Sequence, residues 1–175
     1  EKGEAAVDPL SLKAILENDQ VQKLIFDPRS DADALHHHFG VSLQNVMCVQ
    51  VAELALRKSK GLKVRLLSSM ARVLEEHANL DPTDLRHFQV LKSAGKKLIV
   101  ADDSKVWDQR PLKPELLLYA AFDVRHLFGL FDNIWSALSE EMRAKVVAES
   151  GTRARFYETA EYDPSDRRMA EAPEL

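Results

Sequence analysis

Apolar residues along this chain mostly recur at helical spacing, interrupted by a few short continuous runs. Within 10–18, Leu12, Ile15 and Leu16 share one helical face. The run 21–26 (VQKLIF) ends at Asp27-Pro28 and predicts a short buried strand. Ser30 is placed to cap the next helix, with Asp33 as its capping-box partner, and Gly40 is placed to end it after Phe39. Segment 41–46 predicts a loop or short strand, and 47–58 a helix through Val51, Leu54 and Ala55. A basic break at 57–65 precedes an amphipathic helix over 66–77. Asp81-Pro82-Thr83 is a helix start, and that helix is expected over 83–93, ending near Gly95. Segment 96–103 reads as a short strand or loop, and 107–114, with two prolines, as irregular. Pro114 opens a long apolar helix to about Leu138, interrupted near Gly129. A charged helix follows over 139–160, and the polar residues beyond are expected to be disordered. The result is mostly helical with one or two strands. A lone buried strand has nothing to pair with, which is a strange balance.

Composition narrows the class. The chain has 175 residues, 45% hydrophobic and 30% charged, enough to bury one core. The organisation read from it is a disordered start over 1–9, one domain over 10–160 and a disordered tail over 161–175. The single cysteine, Cys48, excludes an internal disulfide and a multi-cysteine zinc site. Its apolar surroundings predict a buried, inert thiol. No apolar run reaches the roughly 18 residues a membrane helix needs, so no membrane partner is expected. The first residues lack an apolar leader, and with the lone cysteine this favours an intracellular site, nucleus or cytoplasm. A net charge of −4 excludes a wholly basic nucleic-acid binder but leaves room for a local basic patch.

Four stretches carry candidate chemistry. Tyr119 and Asp123 stand at i and i+4 within PELLLYAAFDVRHL and so share one helical face. A carboxylate in an apolar segment is costly unless it is paired or bound to a metal. The simpler reading is a surface aspartate paired with Arg125 or a nearby lysine. In FDPRSDADAL, Asp27, Asp31 and Asp33 follow the strand, where carboxylates suit hard divalent cations. They also suit the positive end of a helix. Residues 57–65 (RKSKGLKVR) hold five basic residues in nine, Arg57, Lys58, Lys60, Lys63 and Arg65, which could contact phosphates or form a solvated loop. His36, His37 and His38 point about 100° apart on a helix and cannot converge on one metal.

Two stretches together resemble a known family. KLIFDPRSDADALHHHFGVSLQNVMCVQVAEL (23–54) and WDQRPLKPELLLYAAFDVRHL (107–127) look like motifs II and III of the RNase D-like 3′–5′ exonucleases of the DEDDy group. The eukaryotic, especially fungal, branch is the nearest in flavour. The more specific signal is Arg110-Pro111-Leu112 followed by Tyr-x-x-x-Asp. The resemblance spans about residues 10–140.

That resemblance implies an α/β, ribonuclease H-like fold, here N-terminally incomplete. It implies two divalent ions, Mg²⁺ or Mn²⁺, held by four acidic residues and hydrolysing phosphodiester bonds of single-stranded RNA or DNA from the 3′ end. Asp123 matches the last metal-binding aspartate and Tyr119 the tyrosine that orients the attacking water. Asp31 matches the motif II ligand, with Asp33 the alternative. Motif I, an Asp-x-Glu on the first strand, is absent from this sequence, and Cys48 stands where relatives carry Asp. Two ions about 4 Å apart need several carboxylates to offset their repulsion. The chain alone is therefore expected to bind the pair poorly and cleave slowly or not at all. A non-catalytic module of the same fold, gripping nucleic acid or a protein partner, is the alternative. A helical interaction domain with no nucleic-acid role is the third reading.

Overall fold

The computed structural model describes residues 11–101 and 105–175, which divide into two compact units. One comprises the chain up to Ser68 together with Ile134–Leu175; the other is Ser69–Asn133.

In the first unit, α1 (Leu12–Glu17) starts at Ser11, whose hydroxyl accepts from the Ala14 amide. β1 (Lys23–Ile25) follows, within the apolar run that predicted it. It has a partner: β2 (Val46–Cys48) pairs with it in parallel, Lys23 opposite Val46 and Ile25 opposite Cys48. The helix expected from Met47 therefore starts two residues later, as α3 (Val49–Ser59). A doubly covered parallel strand reads as a continuous apolar run, which periodicity alone cannot separate from a buried helix start.

Between the strands, α2 (Arg29–Phe39) ends at Gly40 in the left-handed conformation, φ 59°, as its sequence predicts. Its start differs. Pro28 is the N-cap residue with no side-chain bond, and Ser30 lies inside the helix. Asp33 is not a capping partner, because its two carboxylate oxygens meet His37 at 2.9 Å and the Tyr162 hydroxyl at 3.2 Å.

α3 is buried on every side from Val49 to Leu56. Its one buried acid, Glu53, pairs with Arg57 at 2.6 Å. The C-terminal helix of this unit, Glu140–Ala154, is capped by Ser139 and packs on β2 and α3. It is shorter than the expected 139–160. The Ser150 hydroxyl accepts from the Cys48 amide at 2.9 Å, fixing helix to strand. Ala32, Leu43, Val46 and Ala154 form a core with Leu16, Ile25, Leu35 and Tyr157 packed on it. Residues beyond 160 run back across the unit: Leu66 and Glu171 form an antiparallel bridge, and Lys58 donates to the Pro173 carbonyl at 2.7 Å.

In the second unit, α4 (Met70–His77) is capped by Ser69, later than the expected start at Leu66. α5 (Pro82–Ala101) is one helix of 20 residues, continuing through Gly95 and through the KLIV segment read as strand or loop. A short 3₁₀ turn, Lys105–Trp107, precedes α6 (Pro114–Arg125), which has Pro at its first turn. The expected long helix breaks at His126 rather than at Gly129, and α7 (Leu127–Ser136) leads back into the first unit. Phe88, Val106, Leu116, Leu127 and Leu130 are buried here.

Candidate active site

The residues singled out in motif III lie on α6. The i, i+4 spacing puts Tyr119 and Asp123 on one face, and that face is covered by α5. α5 supplies its own matching set. Phe88, Lys92 and Gly95 stand at i, i+4 and i+7 and so line one side of that helix. Phe88 meets Phe122, ring centroids 6.3 Å apart. Lys92 Nζ donates to Asp123 Oδ1 at 2.5 Å and lies 3.8 Å from the centre of the Tyr119 ring. Gly95 is buried against that ring: a Cβ there would fall 2.2 Å from Tyr119 Cδ2. Glycine at this point lets the two helices approach closely enough for the lysine to reach. Trp107 packs edge-on to Tyr119, centroids 6.3 Å apart.

Asp123 thus has the lysine partner of the simpler reading, and the partner is Lys92 rather than Arg125. The sequence signal for Lys92 is the 88–92–95 spacing. It is visible only when α5 is continued past its glycine.

The first unit holds the motif II acids. Asp31 sits in the first turn of α2 and is exposed. Desolvation by the surrounding protein, with the neighbouring Asp27 carboxylate, raises its pKa above the ordinary carboxylate value. Among the described residues no ion pair reaches it. Asp33 differs in having both oxygens engaged. Asp27 is tied down as well. Arg29 donates to it through Nε and Nη2, both at 2.7 Å, and Arg153 Nη1 lies at 3.5 Å. Asp27 has φ 59°, and the arginine fork holds that left-handed backbone in place. Arg29 also donates to the Met169 carbonyl at 2.7 Å, and Arg153 bonds Gln50 and Glu149.

Of the basic segment, Arg57 is taken up by Glu53 and Lys58 by the Pro173 carbonyl, while Lys60, Lys63 and Arg65 are exposed. The His36 and His37 rings meet edge to face with centroids 5.2 Å apart, both beside Tyr157, and His37 pairs with Asp33. Cys48 is buried, and burial pushes its thiol pKa up, the state of an unreactive sulfur.

A model of the 3′–5′ exonuclease family matches residues 5–139. The chain belongs to the 3′–5′ exonuclease domain family. It is 30% identical over 121 residues to the piRNA biogenesis protein EXD1 of Mus musculus, covering 68% of this chain and 20% of that protein. It is 36% identical over 78 residues to ribonuclease D of Xanthomonas oryzae, 45% of this chain and 21% of that protein. The chain thus spans about a fifth of the length of these curated relatives. Among solved structures, Trypanosoma brucei RNase D superposes with a TM-score of 0.68 at 26% identity, over 91% of this chain and 53% of that one. The same enzyme in complex with RNA U12 gives 0.70 at 26% identity, over 94% and 53%. The ribonuclease H-like fold expected from the motifs is the fold of these neighbours, and the described residues hold a small two-stranded sheet, β1–β2.

Exonuclease domains of this family typically use divalent metals. The arrangement at α6 does not fit such an ion. One oxygen of Asp123 already carries an ammonium group, and a divalent ion at that oxygen would face like-charge repulsion on the order of several kcal/mol. No helix among the described residues is long and apolar enough to cross a membrane.

Proposed function

We propose that this chain is part of a 3′–5′ exonuclease domain acting on single-stranded nucleic acid, RNA or DNA, and that it is weak or inactive by itself. The observation that carries the reading is the exonuclease family match over a motif whose Tyr119 and Asp123 share one half-buried face of α6. The proposed site residues are Asp123, Tyr119 and Asp31, with Asp33 the weaker choice because its oxygens are occupied. Mg²⁺ or Mn²⁺ is the proposed cofactor of the complete domain. The reduced activity follows from Lys92 on Asp123 and from the few carboxylates the matched motifs offer. Lys60, Lys63 and Arg65, with Arg57 and Lys58 behind them, are proposed to contact the phosphate backbone. An intracellular setting, nucleus or cytoplasm, completes the proposal.

A second reading has a specific observation behind it. The Lys92–Asp123 ion pair is also what a non-catalytic module would keep, one that binds nucleic acid or a protein partner without cutting.

The test uses 5′-labelled single-stranded RNA and its DNA counterpart with Mn²⁺, alongside Asp123→Ala and an EDTA control. A shortening ladder lost in both controls establishes cleavage. A salt-sensitive gel shift without a ladder, unchanged in Asp123→Ala, establishes the binding module. Neither ladder nor shift at modest salt removes both.

A further inference from the structure

Two features fix the place of Lys92. Its ammonium group reaches Asp123 Oδ1 and the Tyr119 ring face together. One turn further along α5, a buried glycine stands where any Cβ would strike that same ring. A surface ion pair needs no such approach of helix to helix. We propose that Lys92 is the resident cation of the Tyr119–Asp123 pair, so that a divalent ion binds this unit only by displacing it. The inference deepens the exonuclease reading, since it rests on Asp123 being a metal-binding aspartate.

The physical argument is one of charge and shape. An ammonium is a compact point charge on a flexible stem and can swing off a carboxylate when a stronger cation arrives. The aromatic face beneath it stabilises the cation in place. The side chains of Lys92 and Asp123 are 27% and 31% exposed, so solvent and ions can reach the pair. While it stands, the lysine neutralises Asp123 without a metal and keeps its ammonium over the Tyr119 ring. An ordinary structural ion pair makes the opposite forecast: removing its lysine weakens the fold and leaves metal affinity unchanged.

The full-length chain would be titrated with Mn²⁺ and followed by electron paramagnetic resonance, with Lys92→Met, Lys92→Arg and the double variant Lys92→Met/Asp123→Asn. Methionine keeps the apolar stem over Tyr119 and removes the charge. The expected result is a gain in Mn²⁺ affinity of about tenfold or more for Lys92→Met, corresponding to roughly 1.4 kcal/mol. Lys92→Arg should show no gain, and the double variant should lose it. Equal affinity in wild type and Lys92→Met would overturn the proposal.

A second readout needs no variant to fold. Acylation of Lys92 in the wild-type chain, followed by mass spectrometry, should rise as Mn²⁺ is added. Unchanged labelling at saturating Mn²⁺ would equally overturn it. The two ideas fail separately. Tighter Mn²⁺ binding by Lys92→Met without a ladder, but with a gel shift unchanged in Asp123→Ala, replaces the nuclease by the binding module and keeps the resident cation. Cleavage by the wild type with equal Mn²⁺ affinities does the reverse.

Discussion

Asp27 and Asp123 are both carboxylates held by a cation, one in each unit, and they are held in different ways. Asp27 is gripped by a two-pronged guanidinium at 2.7 Å, with a second arginine behind it. Arg29 and Arg153 are only 6% and 4% exposed. Asp123 is met by one ammonium at a site open to solvent. A planar fork buried in protein fixes a backbone, whereas a point charge on a flexible stem can be exchanged. The difference separates a carboxylate that builds the fold from one free to do something else. Asp31 marks the third condition, with no ion pair among the described residues and a pKa raised by desolvation and then by the acidic Asp27 beside it.

The largest effect should come from breaking the fixed pair. Arg29→Ala or Arg153→Ala removes a buried guanidinium and leaves the half-buried Asp27 short of a cation, and should cost about 3 kcal/mol in urea denaturation. Next is the helix contact beneath the exchangeable pair. Gly95→Val should cost about 1–3 kcal/mol, because its Cβ would overlap Tyr119. Gly129→Ala, where a Cβ meets nothing, should instead stabilise by up to about 1 kcal/mol. Equal effects at the two glycines would remove the close approach from the account. Lys92→Met should change stability by less than about 1 kcal/mol, as expected for a solvent-accessible pair. If it costs as much as Arg29→Ala, the contrast between fixed and exchangeable cations is gone.

The smallest effect concerns Asp31. Its pKa is higher in the folded chain than in the unfolded one, so the native state binds more protons and loses stability as pH rises through that window. Asp31→Asn should therefore stabilise at neutral pH and show no gain below the ordinary carboxylate pKa. Solvent screening limits the gain to about 0.5 kcal/mol, or one to two degrees in thermal melts at pH 7 against pH 3.

The features legible in the sequence were those with a local physical cause. Gly40 ends α2 because only a residue tolerant of positive φ closes it there. Tyr119 and Asp123 share a face because helical spacing requires it. β2 was hidden because a strand covered on both faces loses its alternation. Ser30 was a plausible cap by type, but the chain enters α2 through Asp27 and Pro28, whose geometry is set by arginines, one of them 126 positions away. Gly95 reads as a helix end because glycine is intrinsically poor in helices. Its purpose lies in the neighbour across the interface, which no local pattern encodes. Lys92 was missed with it.

The first unit is assembled from two stretches separated by the whole of the second. A chain emerging from the ribosome presents β1, β2 and α3 well before the helix at 140–154 that packs on them. Until that helix is made, Met47, Cys48 and Val49 lack its cover, and transiently exposed apolar surface of this kind is prone to misassociation. The second unit is contiguous and can close its own α5–α6 contact first. Vectorial synthesis thus imposes an order in which the second unit can mature before the first.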